Sequence, residues 1–333
     1  MIDIFVKSFD RPYYLDRCLA SIAIHVKGNY SIKVLDDGTP QHYIAHLKNK
    51  YPFATWVLSP NHHIKANADY HSLHHRWNLQ TTGVPVQFWK EEIAKGSDYF
   101  LLLEEDAWFT RAVELHEYVD TMLAHNVVML KFFWNNNASI IKGRKVSLND
   151  KVDEIKPALP ITFPWVVTAL MNNRFKLTSV LQRLKLLPKS FFNPYYSLYT
   201  VASGIFLKQY WQFLWHFAHP NHIDEKRQLR EAVIWFRQHP NGKYAKSREE
   251  LIQTSYITSS STTFRHVAFD MRLLNHQLNE AWIKNELNPM QGYPSDFAVE
   301  YLKAFMVSDS PQCSAAEWDF WIQEFNRMHS SSS

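Results

Sequence analysis

Short apolar runs and amphipathic stretches alternate along the first third of the chain. Residues 2–7 form a β-rich run stopped by Asp10-Arg11-Pro12. Residues 14–25 then place Leu15, Leu19, Ile22 and Ala23 at helical spacing, and Pro12 suits the first turn of that helix. Residues 31–35 predict a second strand, cut by the turn sequence Asp36-Asp37-Gly38-Thr39-Pro40. A helix over 41–50 and a strand over 55–58 follow. This β-α-β-α-β order within about sixty residues predicts a parallel sheet with crossover helices.

Further along, 66–76 and 86–95 read as helices, and 99–103 is a wholly apolar run that fits a buried central strand. A helix over 112–125 and a strand over 127–134 come next. Residues 135–200 are Asn- and Pro-rich around a basic amphipathic segment, 173–189, in which Arg174, Lys176, Arg183, Lys185 and Lys189 punctuate leucines and valine. Two readings of it stay open: an interfacial helix at a membrane, or a helix packed on the sheet with its lysines in water. A short strand is expected at 203–206, and helices at 209–217, 224–238, 269–284, 294–304 and 315–328. No internal repeat is visible.

Composition narrows the classes. The 333 residues are 46% hydrophobic and 20% charged with net charge +4, ordinary for a globular chain. Disordered, collagen-like and coiled-coil chains are excluded. Only 8 glycines occur, and neither GxGxxG nor GxxxxGK[ST] is present, which disfavours dinucleotide-binding and P-loop readings. The 22 Phe, 16 Tyr and 12 Trp suit a core and also stacking on sugars. Cys18 and Cys313 make no disulfide framework, which fits a reducing compartment. The start lacks a signal-peptide pattern, and no run of about 18 apolar residues predicts a membrane span. The net charge is too small to argue for nucleic acid.

Candidate chemistry sits at the ends of the expected strands, where open α/β sheets bind ligands. Three clusters lie there: Ser8, Asp10 and Arg11; Asp36 and Asp37; and Glu104, Glu105 and Asp106. Asp-Asp-Gly is also a common turn. Three consecutive carboxylates after an apolar run are costly unless neutralised, and a divalent cation is the simplest partner. Carboxylate oxygens suit Mg²⁺ or Mn²⁺, which usually keep waters and share substrate phosphates.

Strand–Ser-Phe-Asp-Arg-Pro–helix, strand–Asp-Asp-Gly-Thr and strand–Glu-Glu-Asp, in this order over roughly residues 1–110, resemble the nucleotide-binding half of GT-A glycosyltransferases of the family 2-like kind. The resemblance implies an α/β, Rossmann-like, mostly parallel sheet flanked by helices, with a helical C-terminal acceptor region. It implies Mn²⁺ or Mg²⁺ on the donor diphosphate, with Asp106 as metal ligand and Glu104 facing the ribose or a metal-bound water. Glu105 completes the acidic motif. Asp36 and Asp37 match the acid that reads the base, and Ser8, Asp10 and Arg11 the loop flanking base and ribose. Residues 202–207 resemble the strand under the donor sugar. Glu225, at an expected helix start, fits the general base, with Asp224 its rival. His266 matches a late histidine that reaches metal or diphosphate. Two departures stand out: the motif begins Glu-Glu, and residues 61–67 replace the family's glycine- and asparagine-rich segment.

The organisation so implied is a nucleotide-sugar-binding half (1–134), a variable insertion (135–200) and an acceptor-side helical region (201–329). The expected function is metal-dependent, inverting transfer of a sugar from a nucleotide-diphosphate sugar to a glycan or lipid-linked acceptor, in polysaccharide or glycoconjugate synthesis. The expected location is cytoplasmic, with peripheral contact at the inner face of the membrane through 173–189 and no nucleic-acid partner. The alternatives are a non-catalytic carbohydrate-binding protein on the same fold, or a sugar nucleotidyltransferase. The latter usually needs a glycine-rich basic loop that Ser8-Phe9-Asp10-Arg11-Pro12 does not provide. His71, His74 and His75 at i, i+3 and i+4 have a spacing that can bind zinc, but solvated helix histidines are the simpler reading.

Overall fold

The computed structural model describes residues 1–67, 83–133, 141–259, 264, 266–306 and 311–330. The expected helix at 66–76, with its three histidines, therefore lies almost wholly outside the described residues. One nine-stranded sheet organises the chain. In chain order its strands are β1 (Ile2–Ser8), β2 (Tyr30–Asp36), β3 (Ala54–Leu58), β4 (Tyr99–Glu104), β5 (Val127–Lys131), β6 (Gly143–Ser147), β7 (Val152–Pro157), β8 (Gly204–Leu207) and β9 (Lys243–Ser247). Across the sheet the order is β3-β2-β1-β4-β8-β5-β9-β7-β6.

The first four neighbours are parallel, as the alternating pattern predicts. Beyond them the sheet is mixed. β8 runs antiparallel to both β4 and β5, β9 is parallel to β5, and β7 and β6 add an antiparallel hairpin at the edge. The hairpin falls in 135–200, where its charged, half-exposed residues give no apolar run to read. All three expected segments thus contribute strands to one sheet.

Helices cover both faces of the α/β structure. On one face α1 (Pro12–His25), α2 (Gln41–Lys50) and α4 (Leu115–His125) pack with the C-terminal α9 (Met271–Ile283) and α10 (Ala315–Ser330) around Leu19, Leu103, Leu278 and Trp318. On the other, α3 (Val86–Ala94), α5 (Pro164–Met171), α7 (Lys208–Trp215) and α8 (Glu225–Gln238) close over Phe100, Leu102, Phe206 and Trp211. Between α5 and α8 in sequence lie the short helix α6 (Leu177–Arg183) and the 3-10 segment Lys189–Ser197. The expected helix over 294–304 is reduced to Val299–Lys303, with residues 294–298 in turn and extended backbone ahead of it.

Candidate active site

The register of β1 against β4 sets Lys7 beside Glu104, and Lys7 Nζ donates to Glu104 Oε1 at 2.8 Å. Lys7 also sits 4.8 Å over the Trp89 ring from α3. Directly after β1, Asp10 takes a left-handed backbone (φ 51°), which turns the chain sharply into α1. Thr39 Oγ1 accepts from the Asp10 amide at 3.0 Å, and the Asn279 amide of α9 donates to the Asp10 carbonyl at 3.0 Å. That turn aims Arg11 at the acids after β4. Arg11 Nε and Nη2 donate to Glu105 Oε1 at 2.9 and 2.7 Å, and Nη2 also reaches Asp106 Oδ2 at 2.9 Å.

The carboxylate triplet therefore faces two protein cations, Lys7 and Arg11. Among the described residues no three His, Cys, Asp or Glu side chains gather as a metal site. Expected ligands Glu104 and Asp106 are divided between two cations. His266 joins neither: it is exposed, 2.9 Å from Glu324 on α10 and against the Phe264 and Phe320 rings.

Three acids facing two cations leave one negative charge in excess, and the proton affinities reflect it. Burial pushes the Glu105 carboxyl up to about 7; Arg11 opposes the shift and the charge of Asp106 adds to it. Asp106 is raised by burial too, against the pull of Arg11. Desolvation works against charge on Glu104, but Lys7, by charge and hydrogen bond, holds it below the usual range. Asp106 Oδ1 is buried without a hydrogen-bond partner, as are Arg11 Nη1 and Ser8 Oγ. A free carboxylate oxygen in an acid-rich site fits an ion that takes its remaining ligands from phosphate and water. The residues present thus suit a divalent ion carried by a substrate, with Asp106 as its protein ligand.

The second acid pair lies next to this cluster, because Ser8 and Asp36 are in register. Asp36 is fully buried, and its carboxylate accepts from the Gly38 amide (3.0 Å), the Thr39 amide (2.8 Å) and the Thr39 hydroxyl (2.7 Å). His62 Nε2 stands 3.0 Å from the same side chain but is not aligned for a hydrogen bond. Asp37 pairs with Lys65 and with Ser59 Oγ at 2.6 Å; burial raises its pKa against those partners. Both acids occupy the expected position at the end of β2, yet each is already satisfied by the protein. Their evident work is to fix the turn that carries Thr39.

Glu225 and Asp224 come from the other side. Asp224 is the N-cap of α8, and its carboxylate accepts from the Arg227 amide at 3.4 Å. That leaves exposed Glu225 as the freer carboxylate, and the Tyr196 hydroxyl donates to its Oε2 at 3.0 Å. Next to Tyr196, Tyr199 is buried, and its hydroxyl has no hydrogen-bond partner. Burial raises its pKa well above the usual value, and the negative charges of Glu225 and Glu104 add to the shift. One turn into α8, Gln228 is fully buried with both amide atoms unpartnered.

Sequence reasoning missed Lys7, Trp89, Tyr199 and Gln228. The only signal for the tyrosines was the aromatic run 191–199. It also missed Lys131, the last residue of β5, and Lys246, its register partner near the end of β9; both are buried. Burial alone pulls the Lys131 ammonium down to about 7, and burial with the charge of Lys145 lowers Lys246.

No protein-family model matches the sequence, and neither does any curated protein. Among solved structures the chain is similar to S. aureus TarS, at 11% identity over 91% of this chain and 42% of that one, with a TM-score of 0.43. It is also similar to S. aureus TarS 1-349 in complex with UDP-GlcNAc, at 11% identity over 91% and 71% of the two chains, TM-score 0.43. A mycobacterial protein matches at 12% identity over 94% and 80%, TM-score 0.40. The chain spans less than half the length of the first TarS structure. With TM-scores below 0.5, the likenesses leave the functional reading to the site itself.

Proposed function

We propose that this chain is a GT-A-type glycosyltransferase that uses a nucleotide-diphosphate sugar. The observation that carries the reading is a gathering of buried polar atoms without partners at the carboxyl ends of β1 and β4: Ser8 Oγ, Arg11 Nη1 and Asp106 Oδ1. Buried polar groups are nearly always hydrogen-bonded, so such a gathering is best understood as waiting for a polar ligand. Nucleotide is assigned to the Ser8–Arg11 loop and the Asp36-Asp37 turn, and diphosphate to Arg11 and Asp106. The sugar is assigned to the space beside Glu104 and Tyr199.

In the reaction the bond between the anomeric carbon and the diphosphate oxygen breaks, and its electron pair leaves with the phosphate. A hydroxyl of the acceptor, a glycan or a lipid-linked saccharide, forms the new bond. Its proton passes to Glu225, which the Tyr196 hydroxyl orients. A divalent ion, when bound at Asp106, supplies charge stabilisation to the leaving diphosphate. A single displacement with the base on the face opposite the leaving group inverts the anomeric centre.

The test is a thermal-shift screen of uridine, guanosine, cytidine and adenosine diphosphates with and without Mn²⁺ or Mg²⁺. The expected result is stabilisation that needs both the ion and one nucleotide. No shift with any of them overturns the transferase reading. A shift with oligosaccharide alone moves the chain to the non-catalytic carbohydrate binders.

A further inference from the structure

Residues 155–223 contain no Asp or Glu, although the chain has 32 of them. The same stretch holds seven Lys and Arg, so the remainder of the chain is net negative. Within it α5 and α6 form a helical pair around the turn at 172–176. Val167, Leu170 and Met171 of α5 are buried, and the Thr178 hydroxyl of α6 donates to the Leu170 carbonyl. At the turn, Asn173 Nδ2 donates to Ser179 Oγ at 2.8 Å, and the Ser179 amide donates to Asn173 Oδ1 at 3.1 Å. This is a built tip rather than a slack loop.

What the tip presents is apolar. Phe175 is 100% exposed and held with a left-handed backbone (φ 53°), an unfavourable conformation for a bulky residue. Trp165 is 74% exposed and Leu186 69%. Leu177, Val180 and Leu184 follow one another at i, i+3 and i+7, so they share a face of α6, and all three are exposed. Leu181 is half-buried and Leu187 buried, so the segment packs only part of its apolar set inward and leaves the rest in the open. Arg174, Lys176, Arg183 and Lys185 stand exposed among these side chains. Exposed aromatics and leucines set among cations, with no acid nearby in sequence, match the chemistry of an interfacial helix on an anionic bilayer. Among the described residues no helix is long and apolar enough to cross a membrane, so any contact lies on the surface.

We propose that the α5–α6 tip is a membrane-docking surface that seats Phe175, Trp165 and the Leu177/Val180/Leu184 face in the headgroup region of an anionic bilayer. The inference does not rest on the transferase reading, and its test uses no nucleotide. The full chain is sedimented with vesicles of phosphatidylcholine alone and with vesicles in which phosphatidylglycerol replaces part of it, at low and high salt. Binding is expected to need the anionic lipid and to weaken with salt. The double variant Phe175→Ser/Trp165→Ser and the quadruple variant with Arg174, Lys176, Arg183 and Lys185 changed to Gln should each bind roughly ten-fold more weakly or worse. Both change exposed side chains, so their thermal unfolding midpoints should match the parent's and show that loss of binding is not loss of fold. Absence of binding to anionic vesicles at low salt overturns the proposal, as does unchanged binding by both variants. Concentration-dependent self-association that Phe175→Ser abolishes would assign the surface to a second copy of the chain and overturn it equally.

Discussion

Glu225 and Arg11 do opposite kinds of work. Glu225 is exposed, tied to one tyrosine hydroxyl, and costs the fold little. If it is the base, Glu225→Gln lowers turnover by roughly 10²-fold or more while nucleotide affinity stays within error, read from kcat and from nucleotide titration. Tyr196→Phe should have a smaller effect of the same kind, because it only orients the carboxylate. Arg11 is half-buried, its guanidinium set between two buried carboxylates. Burial works against its charge, yet Asp106 and Glu105 hold its pKa well above the usual value. Arg11→Met leaves both acids buried and uncompensated, so urea unfolding should show a loss of about 3–5 kcal/mol. Adding Glu105→Gln should recover part of that loss, which distinguishes stranded charge from lost packing.

At the scale of elements, α9 braces the first loop. Asn279 donates to Asp10, the Asn275 side chain accepts from the Tyr13 hydroxyl at 2.7 Å, and the Trp282 indole donates to Asp16 at 2.9 Å. The far end of the sequence thus holds the sharp turn that aims Arg11. Asn279→Ala should cost about 1 kcal/mol in unfolding free energy, the worth of an ordinary hydrogen bond. It should also weaken nucleotide binding by more than that stability loss explains, because the left-handed Asp10 loses its restraint. Calorimetric titration with the nucleotide found by the thermal-shift screen checks this; unchanged affinity would confine α9 to a purely structural part. α9, from the region expected on the acceptor side, packs behind the Ser8–Arg11 loop.

Over the whole molecule, the sheet carries an unusual charge in its interior. Lys131 is buried at the end of β5, and burial holds its pKa near 7 against an unfolded value of about 10.4. Between those pH values the unfolded chain binds a proton that the folded chain does not, so this group makes stability rise with pH across that window. Below pH 7 the cost of burying the charged amine is fully present. Lys131→Met should therefore stabilise the fold most at pH 6 and progressively less toward pH 10, in urea titrations across the range. A pH-independent difference would mean that the amine is solvated. Glu105 acts nearer neutrality: its raised pKa favours folding at low pH, and that contribution is lost as pH rises through about 7.

The sequence by itself determined the parallel half of the sheet and the position of the acids. Apolar runs, turn residues and helical spacing are local signals, and each strand end follows from where its run stops. Hence β1, β2 and β4 deliver Ser8, Asp36 and Glu104 to one edge almost to the residue. The tertiary structure decided what neutralises those acids, because Lys7 and Arg11 meet them across about 94 to 97 residues of chain through sheet register and a left-handed turn. It also decided that Asp36 serves its own turn, that the Tyr199 hydroxyl is buried without a partner, and that Leu177 and Leu184 face outward. Local pattern tells which residues are apolar or charged; only packing tells which of them find partners and which are left open to a ligand or a membrane.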